Sequence, residues 1–319
     1  MGFPQFKAGQ VVSVGECMVE LARGPDQRFG LAYGGDTFNT AVYLARAGVA
    51  VAYATALGDD PYSAGILQLA ERESIDTGLI TLMTARMPGL YLIETDENGE
   101  RSFWYWREQA PARELFDGAQ AETVAEGMER AAAVYFSGVT LSLYSDGGLD
   151  RFAVALAAAR EAGTVIVMDS NYRPRGWRGD AARAREVFAR FWRLADLAMP
   201  TFDDEQALWG DASPAATLER LDGLGAREIV VKCGEHGAYV RLPDGAHHVP
   251  SPEVLKPTDT TAAGDAFNAA YLAARMKGAP AVDAVLSGHR LAAVVIGHRG
   301  AIIPREATAA VLGEPPFRA

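Results

Sequence analysis

The residues best suited to chemistry lie together late in the chain, in Asp259-Thr260-Thr261-Ala262-Ala263-Gly264-Asp265-Ala266-Phe267. Small residues here run into a helical pattern over 266–276. The first turn of a helix offers unpaired N–H groups and the positive end of its dipole, and both attract phosphate. Small side chains at Ala262, Ala263 and Gly264 let a phosphoryl group approach the backbone. A carboxylate beside such an anion hole holds phosphate poorly. It is well placed to take a proton from an attacking hydroxyl, which makes Asp265 a candidate general base. From the pattern alone the alternative is that Asp265 merely caps the helix.

Such a turn needs a frame to hold it. Val11-Val12-Ser13-Val14 reads as a buried strand ending at Gly15-Glu16, and short apolar runs at 51–56, 133–136, 164–169, 197–199 and 228–232 read the same way. Helical patterns occupy 37–47, 63–73, 148–162, 181–194 and 214–224; Asp36 or Thr37 can cap the start of the first and Gly48 ends it, while Gly163 ends another. This alternation predicts an α/β fold whose largely parallel sheet is covered on both faces. Two segments break it. Gly89-Leu90-Tyr91-Leu92-Ile93-Glu94-Thr95 and Arg101-Ser102-Phe103-Trp104-Tyr105-Trp106-Arg107 flank Asn98-Gly99, a hairpin signal. Phe103, Tyr105 and Arg107 share one face and Trp104 and Trp106 the other, so this hairpin is either covered on two sides or packed wholly on its own domain. A second hairpin is expected from 238–242 and 247–249 around Pro243-Asp244-Gly245.

The 319 residues carry 41 acidic and 30 basic side chains, a net charge of −11 that disfavours nucleic acid and anionic membranes as partners. No apolar run of about 18 residues occurs, so no membrane span is expected. The first ten residues lack the apolar core of a signal peptide. Cys17 and Cys233 make neither a disulfide framework nor a metal cluster, and a cytoplasmic location is expected.

The Asp259–Asp265 stretch resembles the carboxy-terminal signature of the ribokinase-like (PfkB) carbohydrate kinases, D-T-x-G-A-G-D, in a form with Ala262 for the usual glycine that looks like the branch acting on 2-keto-3-deoxygluconate. Gly34-Gly35-Asp36-Thr37-Phe38-Asn39 resembles the family's sugar motif G-G-x-x-x-N, Asp169-Ser170-Asn171-Tyr172-Arg173 its D-x-N-x-R segment, and Lys232-Cys233-Gly234-Glu235-His236-Gly237 its nucleotide loop. The four motifs fall in the family's order across nearly the whole chain. The resemblance implies a doubly wound, ribokinase-like three-layer α/β/α sandwich, one catalytic domain, with a small β lid formed by 16–34 and 87–109. It implies ATP with Mg2+ and an acidic sugar as partners. Asp265 would be the base, with the N–H groups of Ala263, Gly264 and Asp265 steadying the moving phosphoryl; Asp259 and Thr261 would hold a monovalent cation such as K+.

Within that resemblance, Gly34, Gly35 and Asn39 would meet the sugar, and Tyr91, Tyr105 and Arg107 match the branch's lid residues. Arg107 and Arg173 suit a substrate carboxylate, the alternative for each being a surface ion pair. Asn171, Arg173, Lys232, Gly234, Glu235, His236, Gly237, Ala262, Ala263 and Gly264 would line the ATP site, and His289 would be either an adenine-side residue or an exposed histidine. A two-residue Asn98-Gly99 turn would set Tyr91 opposite Trp106, facing away from Tyr105; joint substrate contact requires a loop that shifts pairing by one, and that shift is predicted. One departure stands out: Thr201 and Asp204 occupy the places of the family's Asn-x-x-Glu, which an acidic helix start explains equally well. The lid tryptophans suggest a homo-oligomer. A fructokinase, a 5-keto-2-deoxygluconate kinase and a non-catalytic sugar sensor are the alternatives. A Rossmann oxidoreductase is disfavoured, since Gly15-Glu16-Cys17-Met18 lacks its glycine spacing.

Overall fold

Strands buried on both faces need apolar side chains pointing both ways, and β1 (Val11–Val14) meets that need. Val12 and Val14 join one core, with Phe136, Phe152 and Trp192; Val11 joins the other, with Phe38, Tyr43 and Tyr271. The computed structural model describes residues 5–24, 26–95, 101–242, 245–251 and 257–312. After β1 come β2 (Met18–Arg23), β3 (Phe29–Gly34), β4 (Val51–Gly58), β5 (Ile80–Met83), β6 (Leu90–Thr95) and β7 (Arg101–Trp106). Then follow β8 (Ala133–Ser137), β9 (Val165–Asp169), β10 (Leu197–Ala198), β11 (Glu228–Lys232), β12 (Ala238–Leu242) and β13 (Gly245–Val249).

Within the described residues, nine strands form one sheet in the order β13-β12-β11-β10-β9-β8-β1-β4-β5. Pairing is parallel from β11 through to β5, and the expected second hairpin, β12 with β13, closes one edge antiparallel. The chain builds to one side of β1 through β4 and β5, then returns to build the other side from β8. Strand order therefore reverses at β1, and open α/β sheets bind ligands at the carboxyl ends beside such a reversal. Glu16, Ser137, Asp169 and Lys232 all lie there.

The helices fall close to the predicted segments, over Asp36–Arg46, Pro61–Arg72, Asp146–Glu161, Ala181–Trp192, Pro214–Gly223 and Ala263–Met276. Strand β5 and the helix Gln120–Arg130 went unpredicted. The strand is only partly buried, and the helix buries just Val124, Gly127 and Met128, so few apolar residues mark either.

A second sheet, in the order β3-β2-β6-β7, forms the lid. Residues 16–34 supply two of its strands, and β2 pairs parallel with β6. Tyr91 lies opposite Tyr105 and Leu90 opposite Trp106, the predicted one-residue shift, which puts both tyrosines on one face. Asn98 and Gly99 lie outside the described residues, as do Pro243 and Asp244 of the second turn.

Helix Ala263–Met276 is tied to the sheet far from its first turn. Arg275 donates to both carboxylate oxygens of Glu228 at 2.9 and 2.7 Å, and the Tyr271 hydroxyl donates to Glu228 at 2.6 Å. The Glu228 side chain is 5% exposed and that of Arg275 14%. Breaking such a pair leaves a buried charge without its partner. Glu228→Ala is therefore expected to cost about 3 kcal/mol, read as a lowered urea midpoint.

Candidate active site

Two helix starts meet above the carboxyl ends of β1, β8 and β9. Gly35, at the head of helix Asp36–Arg46, passes so close to β1 that an added Cβ would lie 2.0 Å from the Glu16 carbonyl oxygen. On that helix, Asn39 donates from Nδ2 to Asp265 Oδ2 at 2.9 Å. Asp265 does not cap its helix. The N-cap is Ala262, which makes no side-chain cap bond, and the Asp265 carboxylate faces the sugar-motif helix instead. Burial and the carboxylates of Asp36 and Asp169 push Asp265 up to about 8, against the opposing pull of Asn39 and Lys232.

Nor do Asp36 and Thr37 cap the first helix; its N-cap is Gly35, again without a side-chain bond. Asp36 Oδ2 accepts hydrogen bonds from Ser137 Oγ and, at 2.7 Å, from Asn171 Nδ2. Burial raises its own proton affinity.

Beneath the cradle, Lys232 Nζ donates to Asp169 Oδ1 and Asn268 Oδ1, each at 2.9 Å. Asn268 Nδ2 in turn donates to Asp169 Oδ2 and to the Tyr135 hydroxyl, each at 2.9 Å. Lys232 is thus a buried member of this network. A Cβ added to Gly264 would meet only its Nζ, at 3.8 Å, which sets the ammonium next to the open face of the turn. Of the three amides expected to form the anion hole, the Ala263 N–H already donates to the Thr260 carbonyl at 3.3 Å. Those of Gly264 and Asp265 have no backbone acceptor among the described residues, so two first-turn amides are open to a ligand.

Both arginines hold protein carboxylates. Arg107 makes a buried ion pair with Glu16, whose side chain is 2% exposed, and its guanidinium lies 5.9 Å from the centre of the Tyr105 ring. Arg173 donates to Asp204 at 3.2 Å while most of its side chain stays exposed. Each arginine thus already holds a protein carboxylate, Arg107 in a buried pair and Arg173 in a largely exposed one. Asp204 also accepts from the Tyr172 N–H at 3.1 Å and Ser170 Oγ at 3.2 Å, and it thereby grips the D-x-N-x-R loop. A plain acidic helix start would not do that. Thr201 donates its N–H to Ser170 Oγ at 3.0 Å.

Tyr91 faces Gly34 and donates to Glu20, a buried lid carboxylate that sequence reading did not single out. Gly234, Glu235 and His236 lie exposed on a short turn, and Gly237 is buried with φ +91°. His289 is not an exposed histidine: it is buried edge-on against Phe267, with Nε2 3.3 Å from the Val249 carbonyl oxygen. Asp259 accepts from the N–H groups of Thr261 at 2.9 Å and Gly300 at 2.7 Å, and so ties the loop before the cradle to the end of the chain.

A buried carboxyl, open amides at a helix start and a lid at a sheet crevice suit phosphoryl transfer on a doubly wound α/β frame. The family comparison agrees: residues 8–308 match the pfkB family carbohydrate kinase, and the chain belongs to that family. It is 40% identical over 306 residues to the 2-dehydro-3-deoxygluconokinase of Escherichia coli K12, covering 93% of this chain and 98% of that one. The crystal structure of a 2-dehydro-3-deoxygluconokinase from Thermotoga maritima superposes with a TM-score of 0.83 at 20% identity, over 97% of this chain and 100% of that one. A Ribokinase II from E. coli, solved in complex with ATP and Mg2+, superposes with a TM-score of 0.81 at 22% identity, over 92% and 95%. No helix among the described residues is long and apolar enough to cross a membrane.

Ala262 stands where the family signature has glycine, and its backbone is left-handed, with φ 60° and ψ 14°. A side chain in that region costs about 1–2 kcal/mol. Ala262→Gly should therefore raise stability by about 0.5–1 kcal/mol, after allowance for the freer unfolded chain, as measured by urea unfolding.

Proposed function

We propose that this protein transfers the γ-phosphoryl group of ATP to the terminal hydroxyl of 2-keto-3-deoxygluconate, giving 2-keto-3-deoxy-6-phosphogluconate. The observation that carries the reading is the Asp265 carboxyl, held by Asn39 of the sugar motif at the mouth of the Gly264–Asp265 amide turn. MgATP supplies the phosphoryl group, its magnesium held chiefly by phosphate oxygens and water.

Asn39 and the Gly34-Gly35 backbone position the sugar so that its hydroxyl meets Asp265, which takes the proton as the oxygen attacks. The Gly264 and Asp265 amides, with Lys232 behind them, offset charge on the migrating group. Tyr91 and Tyr105 close the opposite side from the lid and exclude water. The acid sugar's carboxylate is read by Arg107 and Arg173. Each already carries a protein carboxylate on one edge, which holds its guanidinium in orientation and leaves other N–H edges for substrate.

The lid's outer face supports a second reading, about assembly. Leu31, Leu21, Leu92 and Trp104 form one continuous rung across all four strands. Leu31, Trp104, Trp106 and Phe29 are 53, 54, 59 and 47% exposed. An apolar strip of this breadth suits a second copy of the same lid. Trp104→Glu should reduce the molar mass seen by light scattering to that of one chain, and a wild type that is strictly monomeric at micromolar concentration contradicts the assembly.

Catalysis is tested by coupled ADP release on 2-keto-3-deoxygluconate, 5-keto-2-deoxygluconate and fructose, with the product position read by phosphorus NMR. The first sugar is expected to give the highest kcat/KM; greater activity on fructose contradicts the assignment. Asp265→Asn should retain sugar binding and lose about a thousandfold or more in kcat. Because the base acts only when ionised, wild-type kcat/KM should rise with pH and level off above the Asp265 midpoint near 8.

A further inference from the structure

Asp36 is a titratable group that the mechanism above leaves without a role, although it sits among the residues that carry it out. It opens the helix that also bears Asn39, so the two side chains lie one turn apart on the same face. Asn39 reaches Asp265, and Asp36 reaches Ser137 and Asn171. Ser137 ends β8 and caps the next helix through the N–H groups of Val139 and Thr140, at 3.1 and 3.3 Å. Asn171 follows β9 and holds a left-handed backbone, with φ 33°. One carboxylate thus joins the sugar-motif helix to two strand ends and to the loop assigned to ATP.

We propose that Asp36 is a positioning residue for phosphoryl transfer, holding Asn171 in register with the helix of Asn39 and placing a second carboxylate near Asp265. The assignment rests on Asp265 being the base. It goes beyond that reading because it makes nucleotide seating and base strength depend on one side chain.

The groups that face Asp265 support it. Helix Asp36–Arg46 presents Asp36, Asn39, Thr40 and Tyr43; β8 presents Tyr135, β9 Asp169 and β11 Lys232. After burial itself, Asp36 is the largest influence holding the proton on Asp265. An anion there keeps the free enzyme's base protonated more of the time and makes it stronger once ionised.

Two substitutions separate the roles. Asp36→Asn keeps an acceptor oxygen for Ser137 and Asn171 and removes the charge; Asp36→Ala removes both. The Asp265 titration is followed by carbon-13 NMR of labelled aspartate in the full-length protein, assigned by its loss in Asp265→Asn, a readout that needs no turnover. In Asp36→Asn the midpoint should fall by about one pH unit, and the rise of kcat/KM with pH should move down with it. Its KM for MgATP should stay within about twofold of wild type, whereas Asp36→Ala should raise that KM about fivefold or more, roughly the loss of one hydrogen bond. An Asp265 midpoint unchanged in Asp36→Asn overturns the electrostatic role, and equal KM values in the two variants overturn the positioning role. Should the wild type prefer another sugar, the substrate assignment falls while the NMR titration still decides this one.

Discussion

Removing carboxylates from water is costly unless each finds a cation or hydrogen-bond donors, and this crevice buries three of them around one ammonium. Asp169 has Lys232 and Asn268, Asp265 has Asn39, and Asp36 has Asn171 and Ser137. The network holds only if β8, β9, β11 and two helix starts arrive at one point. That explains why the sheet reverses its order here and why Gly35 must slide against β1. The surplus of negative charge is also what gives the site its chemistry. A carboxyl that keeps its proton in a crowded anionic setting is a strong acceptor once it ionises. The cost of assembling the site and its basicity therefore have a common origin.

Local features were legible in the sequence and distant pairings were not. The cradle, its helix and Asp265 could be read because their roles follow from neighbours within one turn. The inward-facing tyrosines could be read because a sheet's alternation fixes faces once register is known. Asp36 was read as a cap, because its partners lie 101 and 135 residues away and no spacing rule reaches them. The same holds for Glu16, which holds Arg107, and for Asp204, which organises a loop that precedes it by about thirty residues. Strand β5 and the helix Gln120–Arg130 escaped for a different reason: the strand is only partly buried and the helix buries few apolar residues to betray it.

The lid has two unlike faces. Inward, Glu20, Tyr91 and Tyr105 make a polar rung, and Tyr91 spends its hydroxyl proton on Glu20, so its ring is fixed before anything binds. Outward, the neighbouring rung is wholly apolar. A shift of one residue in register would exchange these faces. The register of β6 against β7 therefore governs both what the lid touches inside and what it offers outside.

The parallel pairing of β2 with β6 has a further effect, on the order of events as the chain is made. The β2–β3 hairpin leaves the ribosome early, but the strand that lies alongside β2 is encoded some seventy residues later, beyond β4, β5 and two helices. Until then Leu21 has an open backbone edge next to it. That interval, set by sequence separation rather than by final stability, is when a growing chain is most exposed to pairing with the wrong strand.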